Sequence, residues 1–252
     1  MNVIDYIIND ARSRKVSVDR KRLENAMKEP IHPLITKDRG NTIIAEIKFK
    51  SPSERKMLST ESVEKIAAAY EKGGAAAVSV VTEQHYFDGS PEYLTKAKLA
   101  CAAPILRKDF LVKPSQLEES KVLGADGVLL IAKILGENLP AMLAKADSLG
   151  LWSLVETHSA QEIEEAVAAG AKIIGVNNRD LDTLKVDLNT SVKLSAKIPD
   201  DLIFVVESGI NGPKDIDYLK KNCARKPDAY LIGSSLMKAK DKTQAVKELV
   251  DA

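Results

Sequence analysis

The chain has 252 residues, 44% of them hydrophobic and 29% charged, with a formal net charge of +1. That length suits one large α/β barrel or two small domains. The near-neutral charge argues against nucleic acid or an anionic membrane as the main partner, and leaves room for a small anionic substrate held by a few local cations.

Cys101 and Cys223 cannot build a disulfide framework, and no CxxC or Cys/His cluster accompanies them, so a reducing cytoplasm is expected and no structural metal is. The opening "MNVIDYIIND" turns charged too soon for a signal peptide. No stretch approaches the roughly 18 uninterrupted apolar residues of a membrane span. Residues 1–40, containing "ARSRKVSVDRKRLENAMKEP", read as a charged, helical N-terminal extension that covers part of the main body of the chain. Acids interleave with its bases, which disfavours a nucleic-acid arm.

From residue 42 onward one pattern recurs: a short β-branched apolar run, then a longer segment of helical periodicity that often ends in Gly. The runs are "TIIAEIK" (42–48), "AAVSVVTE" (76–83), "APILRKDF" (103–110), "GVLLIAKI" (127–134), "WSLVETH" (152–158), "KIIGVNNR" (172–179), "LIFVVESG" (202–209) and "AYLIGSS" (229–235). Helices are predicted between them, for example over 62–74, 115–124 and 159–170, opening on N-capping Ser, Thr or Asp. Gly124, Gly150 and Gly170 stand at C′ positions. The strands are apolar nearly throughout, as parallel strands buried on both faces are. Eight such units in about 200 residues predict a (β/α)8 barrel, in one domain made of the extension (1–40) and the barrel (41–252). An open doubly wound sheet is the alternative, but no GxGxxG or Walker sequence comes after the first strand.

In "IIAEIKFKSPS" (43–53) an acid and a base sit two positions apart, so in a strand Ile44, Glu46 and Lys48 share one face. Burying two charges costs several kcal/mol each unless they are paired or used. Barrel chemistry belongs at the C-terminal ends of the strands, and polar residues collect there: Glu46 and Lys48, Glu83, Lys108, Lys133, Glu156, Asn177 and Arg179, Glu207 and Ser208, Gly233 and Ser234. The N-terminal halves of the strands hold almost no charge.

Each of these has a plainer explanation to set beside a functional one. Glu46 and Lys48 can simply pair with each other, and Lys108 can pair with Asp109. Glu83 and Lys133 are weaker candidates, since either can be a solvated strand end; His85 and His158 lack metal-ligand spacing, and a structural role is preferred for both. Glu156 has no adjacent cation in sequence, and a buried carboxyl with a raised pKa would suit proton transfer. Gly209, Gly233, Ser234 and Ser235 come directly after the last two strands, where such barrels often cradle phosphate, with "KSPS" (50–53) on the facing loop.

Taken in order and spacing, "IIAEIKFKSPS", "LRKDF", "LLIAKIL", "LVETH", "IIGVNNRDL", "VVESGI" and "LIGSSLM" resemble the indole-3-glycerol phosphate synthase family of tryptophan biosynthesis, over residues 40 to 240. The resemblance implies a cofactor-free carbon–carbon lyase. It closes 1-(2-carboxyphenylamino)-1-deoxyribulose 5-phosphate to an indole, losing carbon dioxide and water. By resemblance, Glu46, Lys48, Lys108, Glu156, Asn177, Glu207 and Ser208 are active-site positions and Arg179 is a rim arginine. Ser51, Gly209, Gly233 and Ser234 hold the phosphate, and Phe87, Phe110, Leu129 and Leu184 pack the aromatic ring. Lys108 or Lys48 donates a proton to the ketone oxygen on closure, and Glu156 or Glu46 serves the dehydration.

Two departures stand out. Glu54, Arg55, Lys56 and Met57 replace a Lys-Gly pair, predicting a stiffer loop, and Val206 replaces a serine. Phosphoribosylanthranilate isomerase shares barrel and phosphate site, but its Cys/Asp pair needs a cysteine that the first strand lacks. A degenerate binding barrel would have lost the lysines or glutamates, all of which are present. A monomer without nucleic-acid or membrane partners is expected.

Overall fold

The computed structural model describes residues 3–34, 40–51 and 59–252, with side chains from residue 5 onward. Eight parallel strands close in sequential order into a barrel: β1 (Thr42–Ile47), β2 (Ala77–Val81), β3 (Ile105–Lys108), β4 (Gly127–Ile131), β5 (Trp152–Thr157), β6 (Ile173–Asn177), β7 (Ile203–Glu207) and β8 (Ala229–Ile232). Closure is made by β8 against β1, with Thr42 opposite Ala229 and Ile44 opposite Leu231. The predicted (β/α)8 architecture is what forms.

The strands are buried on both faces, which is why they lack polar alternation. Period 2 sends Ile44, Leu106, Leu129, Leu154, Val205 and Leu231 into the barrel. The intervening Ile43, Ala45, Ile47, Val78, Val80, Ile105, Val128 and Val155 pack outward under the helices.

Two of the three helices singled out begin as the sequence signals, and the third, predicted to open at Ser115, starts one residue earlier at Pro114 with Lys113 at its N-cap. Ser62 and Ser159 accept hydrogen bonds from the backbone N–H groups of Lys65 and Glu162. Gly124, Gly150 and Gly170 take the left-handed conformation just past their helices.

Several strands are shorter than predicted, each for a local reason. The Asp109 carboxylate accepts the N–H of Phe110, turning the chain out of β3. "AKIL" after β4 makes one helical turn, Ala132–Leu135, because four apolar-rich residues carry no period that separates strand from helix. Lys133 therefore stands on a helix rather than at a strand end.

The N-terminal segment supplies two helices, Val3–Ser13 and Arg20–Ala26. The Trp152 indole N–H donates to the carbonyl of His32 at 3.1 Å, and Leu34 packs into the apolar cluster of the barrel interior, at the end opposite the charged strand ends. A second anchor lies on the outside of β3, where fully buried Arg107 donates to Thr82, Glu119, Ser120 and Asp109. Asp109 also takes Arg14 at 3.0 Å. The plainer explanation for Lys108, a pair with Asp109, is not what forms: alternation turns 107 and 109 outward and 108 inward, so Asp109 meets Arg107 and Arg14 and Lys108 meets Glu156 and Glu207. No helix among the described residues is long and apolar enough to cross a membrane.

Candidate active site

One inward step beyond the apolar layer, the four odd-numbered strands each contribute an ionisable side chain: Glu46 from β1, Lys108 from β3, Glu156 from β5 and Glu207 from β7. Barrel interiors are filled in layers of four from alternate strands, normally with branched apolar residues; here that layer is ionic. The Lys108 Nζ lies 3.2 Å from Glu156 Oε2 and 3.3 Å from Glu207 Oε2. Lys48, one inward step above Glu46, reaches Glu46 Oε1 at 2.7 Å.

The even-numbered strands make room for these carboxyl groups. A Cβ on Gly175 of β6 would overlap Glu207 Oε1, and one on Gly233, just past β8, would overlap Glu46 Oε1. Alanine is excluded at both positions unless the carboxyl groups move.

Burial and charge set the two central carboxyl groups apart. Burial raises Glu156, but Lys108 and His158 outweigh it and hold the carboxyl well below the usual range. Burial pushes Glu207 up to about 7, because its half-share in Lys108 is opposed by the neighbouring charge of Glu156. The raised carboxyl expected at Glu156 is thus found at Glu207. Burial would lower the Lys108 ammonium, yet Glu156, Glu207 and Glu46 together hold it well above the ordinary lysine value. Glu207 Oε1 is buried beside Gly175 with no hydrogen-bond partner among the described residues, so it lacks a donor that would favour the ionised form.

These groups floor a cavity of about 570 Å³, a volume typical of small-ligand sites. Every residue assigned to the site from the sequence borders it: Glu46, Lys48, Lys108, Glu156, Asn177, Glu207 and Ser208; Ser51, Arg179, Gly209, Gly233 and Ser234; Phe87, Phe110, Leu129 and Leu184.

One wall is apolar. Phe87 and Phe110 stand with ring centroids 6.5 Å apart, and Leu129 borders the same cavity. Glu83 is no solvated strand end: its buried carboxylate accepts the N–H groups of His85, Tyr86 and Phe87 and shapes the loop that presents Phe87. On the β6 loop, Asn177 Oδ1 accepts the N–H of Arg179, and the Arg179 guanidinium donates to the carbonyl of Leu184. That bond holds Leu184 in a left-handed turn on the rim.

The opposite wall is polar. Ser208 and Gly209 both take positive φ, and a Cβ on Gly209 would press on Val186 and Leu188. Gly233 leads into the short helix Ser234–Lys238.

Lys133 lies outside the cavity, paired with Asp182 at 3.0 Å on the exposed rim. The predicted stiff loop of Glu54, Arg55, Lys56 and Met57 falls outside the described residues, as do Pro52 and Ser53. Two groups draw no functional reading from the sequence. Lys238 borders the polar wall, one helical turn after Ser234, a spacing that is readable. His158 lies against Glu156 from behind, a contact that depends on how the chain turns after β5. Among the described residues no group of three or more His, Cys, Asp and Glu is arranged to hold a metal ion.

A family model described as Indole-3-glycerol phosphate synthase matches residues 7–249. An indole-3-glycerol phosphate synthase of Endomicrobium trichonymphae is 40% identical, the match covering 99% of this chain and 100% of the relative. One from Methanopyrus kandleri is 42% identical, over 84% of each chain. Among solved structures, a 3-hexulose-6-phosphate synthase superposes with a TM-score of 0.65 at 18% identity, covering 82% of this chain and 97% of that one. A thiamine phosphate pyrophosphorylase from Pyrococcus furiosus gives 0.59 at 20% identity, covering 83% and 93%. At such identities the two structures show the barrel fold alone.

Proposed function

The chain belongs to the indole-3-glycerol phosphate synthase family, and from that membership we infer how its barrel mouth divides the labour of the reaction. The substrate is small and phosphorylated: 1-(2-carboxyphenylamino)-1-deoxyribulose 5-phosphate, converted to indole-3-glycerol phosphate with loss of carbon dioxide and water. The single observation that carries the assignment is Lys108 poised between Glu156 and Glu207.

In closure, the ring carbon bearing the carboxylate bonds to the ketone carbon, and the carbonyl pair moves onto oxygen. Lys108 stabilises that developing charge and gives the alkoxide a proton. An ammonium held so firmly releases its proton only to an oxygen as basic as an alkoxide, which confines the transfer to this step. Lys48, beside Glu46, balances the substrate carboxylate until carbon dioxide leaves and the bonding pair returns to the ring.

Dehydration then needs an acid and a base together. Protonated Glu207 donates to the departing hydroxyl, the C–O bond breaks, and ionised Glu156 takes a proton from the neighbouring methylene, whose pair becomes the new double bond. One proton per turnover comes from solvent, matching the carboxylate lost as carbon dioxide. Asn177, beside Glu156 on β6, helps to keep that carboxyl ionised.

The phosphate is assigned to Gly209, Gly233 and Ser234 with Ser51 across the mouth, and the anthranilate ring to Phe87, Phe110, Leu129 and Leu184. Arg179 braces the rim. On this reading residues 1–252 form one domain acting as a cytoplasmic monomer without nucleic-acid or membrane partners, in keeping with the near-neutral charge.

The test is indole fluorescence on adding the anilino-deoxyribulose phosphate to metal-free protein. Emission rising with equimolar carbon dioxide is expected; a silent sample would favour a non-catalytic sugar-phosphate-binding barrel. Ser234→Asp should raise KM about 10- to 100-fold with kcat little changed, since it sets a like charge beside the phosphate. An unchanged KM places the phosphate elsewhere.

A further inference from the structure

The ionic layer is short of positive charge. Glu46 is taken by Lys48 at 2.7 Å, which leaves the single Lys108 ammonium to be shared by Glu156 and Glu207. A histidine stands behind the layer. His158 places Nε2 3.3 Å from Glu156 Oε1, on the carboxyl oxygen that Lys108 does not touch, and Nδ1 3.3 Å from Glu162 Oε2. Glu162 is itself fixed: its carboxylate accepts the backbone N–H of His158 and the hydroxyl of Ser159, in the first turn of helix Ala160–Ala168. The imidazole is therefore gripped between two carboxylates, one in the barrel and one at the mouth of a helix, with its side chain only 11% exposed.

We propose that His158 is a positioning residue: as an imidazolium clamped between Glu156 and Glu162, it fixes Glu156 as a carboxylate aimed into the cavity while Lys108 is engaged with substrate. Its contact with Glu156 is a charge contact at the back of the carboxyl, so it leaves the front face open to the reacting atoms. The arrangement matters most in mid-reaction. Once Lys108 has passed its proton to the alkoxide, the ammonium that held Glu156 ionised is gone, and His158 remains as the cation that keeps this carboxyl ready for the dehydration.

The groups that face the pair are few. Lys108 reaches Glu156 from β3, Glu207 faces it from β7, Asn177 lies beside it on β6, and Lys133 on helix Ala132–Leu135 acts on Glu162. Burial would lower the imidazole, but Glu156 and Glu162 outweigh it and raise it to about 10. The cation consequently persists through the neutral range. The role of Glu156 rests on the synthase reading; the clamp itself does not.

Two measurements separate them. In the pH profile of kcat/KM, the acid limb reports the carboxyl that must be ionised. Removing the imidazolium lets that carboxyl protonate sooner, so in His158→Gln the limb moves to higher pH by about one unit or more, with KM nearly constant. The titration of the substrate phosphate is common to both enzymes and does not contribute to the difference. An acid limb that stays in place while the rate falls evenly at all pH values would reduce His158 to a packing residue and overturn the proposal.

The second measurement needs no turnover. The chain has three histidines, so the ring carbon protons can be assigned by substitution and titrated by NMR. In the wild type the His158 signal should remain in its protonated position past about pH 8, and in Glu162→Gln its midpoint should fall by about a unit or more. A His158 signal titrating near 6.5 in the wild type would overturn the clamp whether or not indole is made. Wild-type protein that makes no indole, with the His158 signal still in its protonated position, would sink the synthase reading and leave the clamp standing.

Discussion

Replacing Lys108 with alanine should lower kcat by about 10³- to 10⁴-fold. Two effects act together. The variant loses the proton donor for closure, and it loses the one ammonium that Glu156 and Glu207 share at 3.2 and 3.3 Å. Without it the carboxyl groups of the layer repel one another, and the uptake of protons that relieves this removes the base as well. Groups that act as a unit give such non-additive losses.

Lys108→Arg distinguishes the parts. It restores a positive charge but supplies a guanidinium that does not give up its proton, so it should recover KM while kcat remains low. Near-normal turnover in Lys108→Ala would remove the assignment of Lys108 altogether.

The second large effect is expected at Glu156. Glu156→Gln keeps the shape but cannot accept a proton, and kcat should fall by about 10²- to 10⁴-fold with KM changed little. The sign of the pH dependence comes from the two carboxyl groups. Glu156 lies well below the usual carboxylate range, so its basic form is present throughout the neutral region. Glu207 is raised to about 7, so its acidic form is lost as pH rises through that value. Dehydration should therefore fade on the alkaline side of neutrality in the wild type. In Glu156→Gln the residual rate should lose its acid limb. A Glu156→Gln enzyme as fast as the wild type would move the base to Glu46.

Much of the site is legible in the sequence because strand parity survives folding. Counting by two from Ile44 reaches Glu46 and Lys48, and from Leu106 reaches Lys108; the barrel turns those same positions inward. The trio Arg107, Lys108 and Asp109 reads as one charged patch, yet parity divides it into an outer anchor for the N-terminal helices and an inner ammonium at the cavity.

Sequence does not carry anything set by distances across the barrel. Lys108 meets Glu156 and Glu207 from strands 48 and 99 residues away, and how evenly it is shared decides which carboxyl stays ionised. That is why the raised carboxyl is expected at Glu156 and found at Glu207. Gly175 and Gly233 are readable as glycines, but not as the space the carboxyl groups occupy. Lys133 is misplaced by its sequence because a single helical turn after β4 has no detectable period. His158 lacks metal-ligand spacing and so draws no functional reading, although its four-residue step to Glu162 at a helix start is plain in the chain.

The proposed chemistry depends on Lys108 splitting its two neighbours into an ionised base and a protonated acid. The most direct measurement is a ¹³C NMR titration of the glutamate carboxyl carbons, assigned with Glu156→Gln and Glu207→Gln. Glu156 should still be ionised at the pH where an ordinary glutamate, near 4.3, is half protonated, and Glu207 should titrate close to neutrality. Finding both at the ordinary value would contradict it.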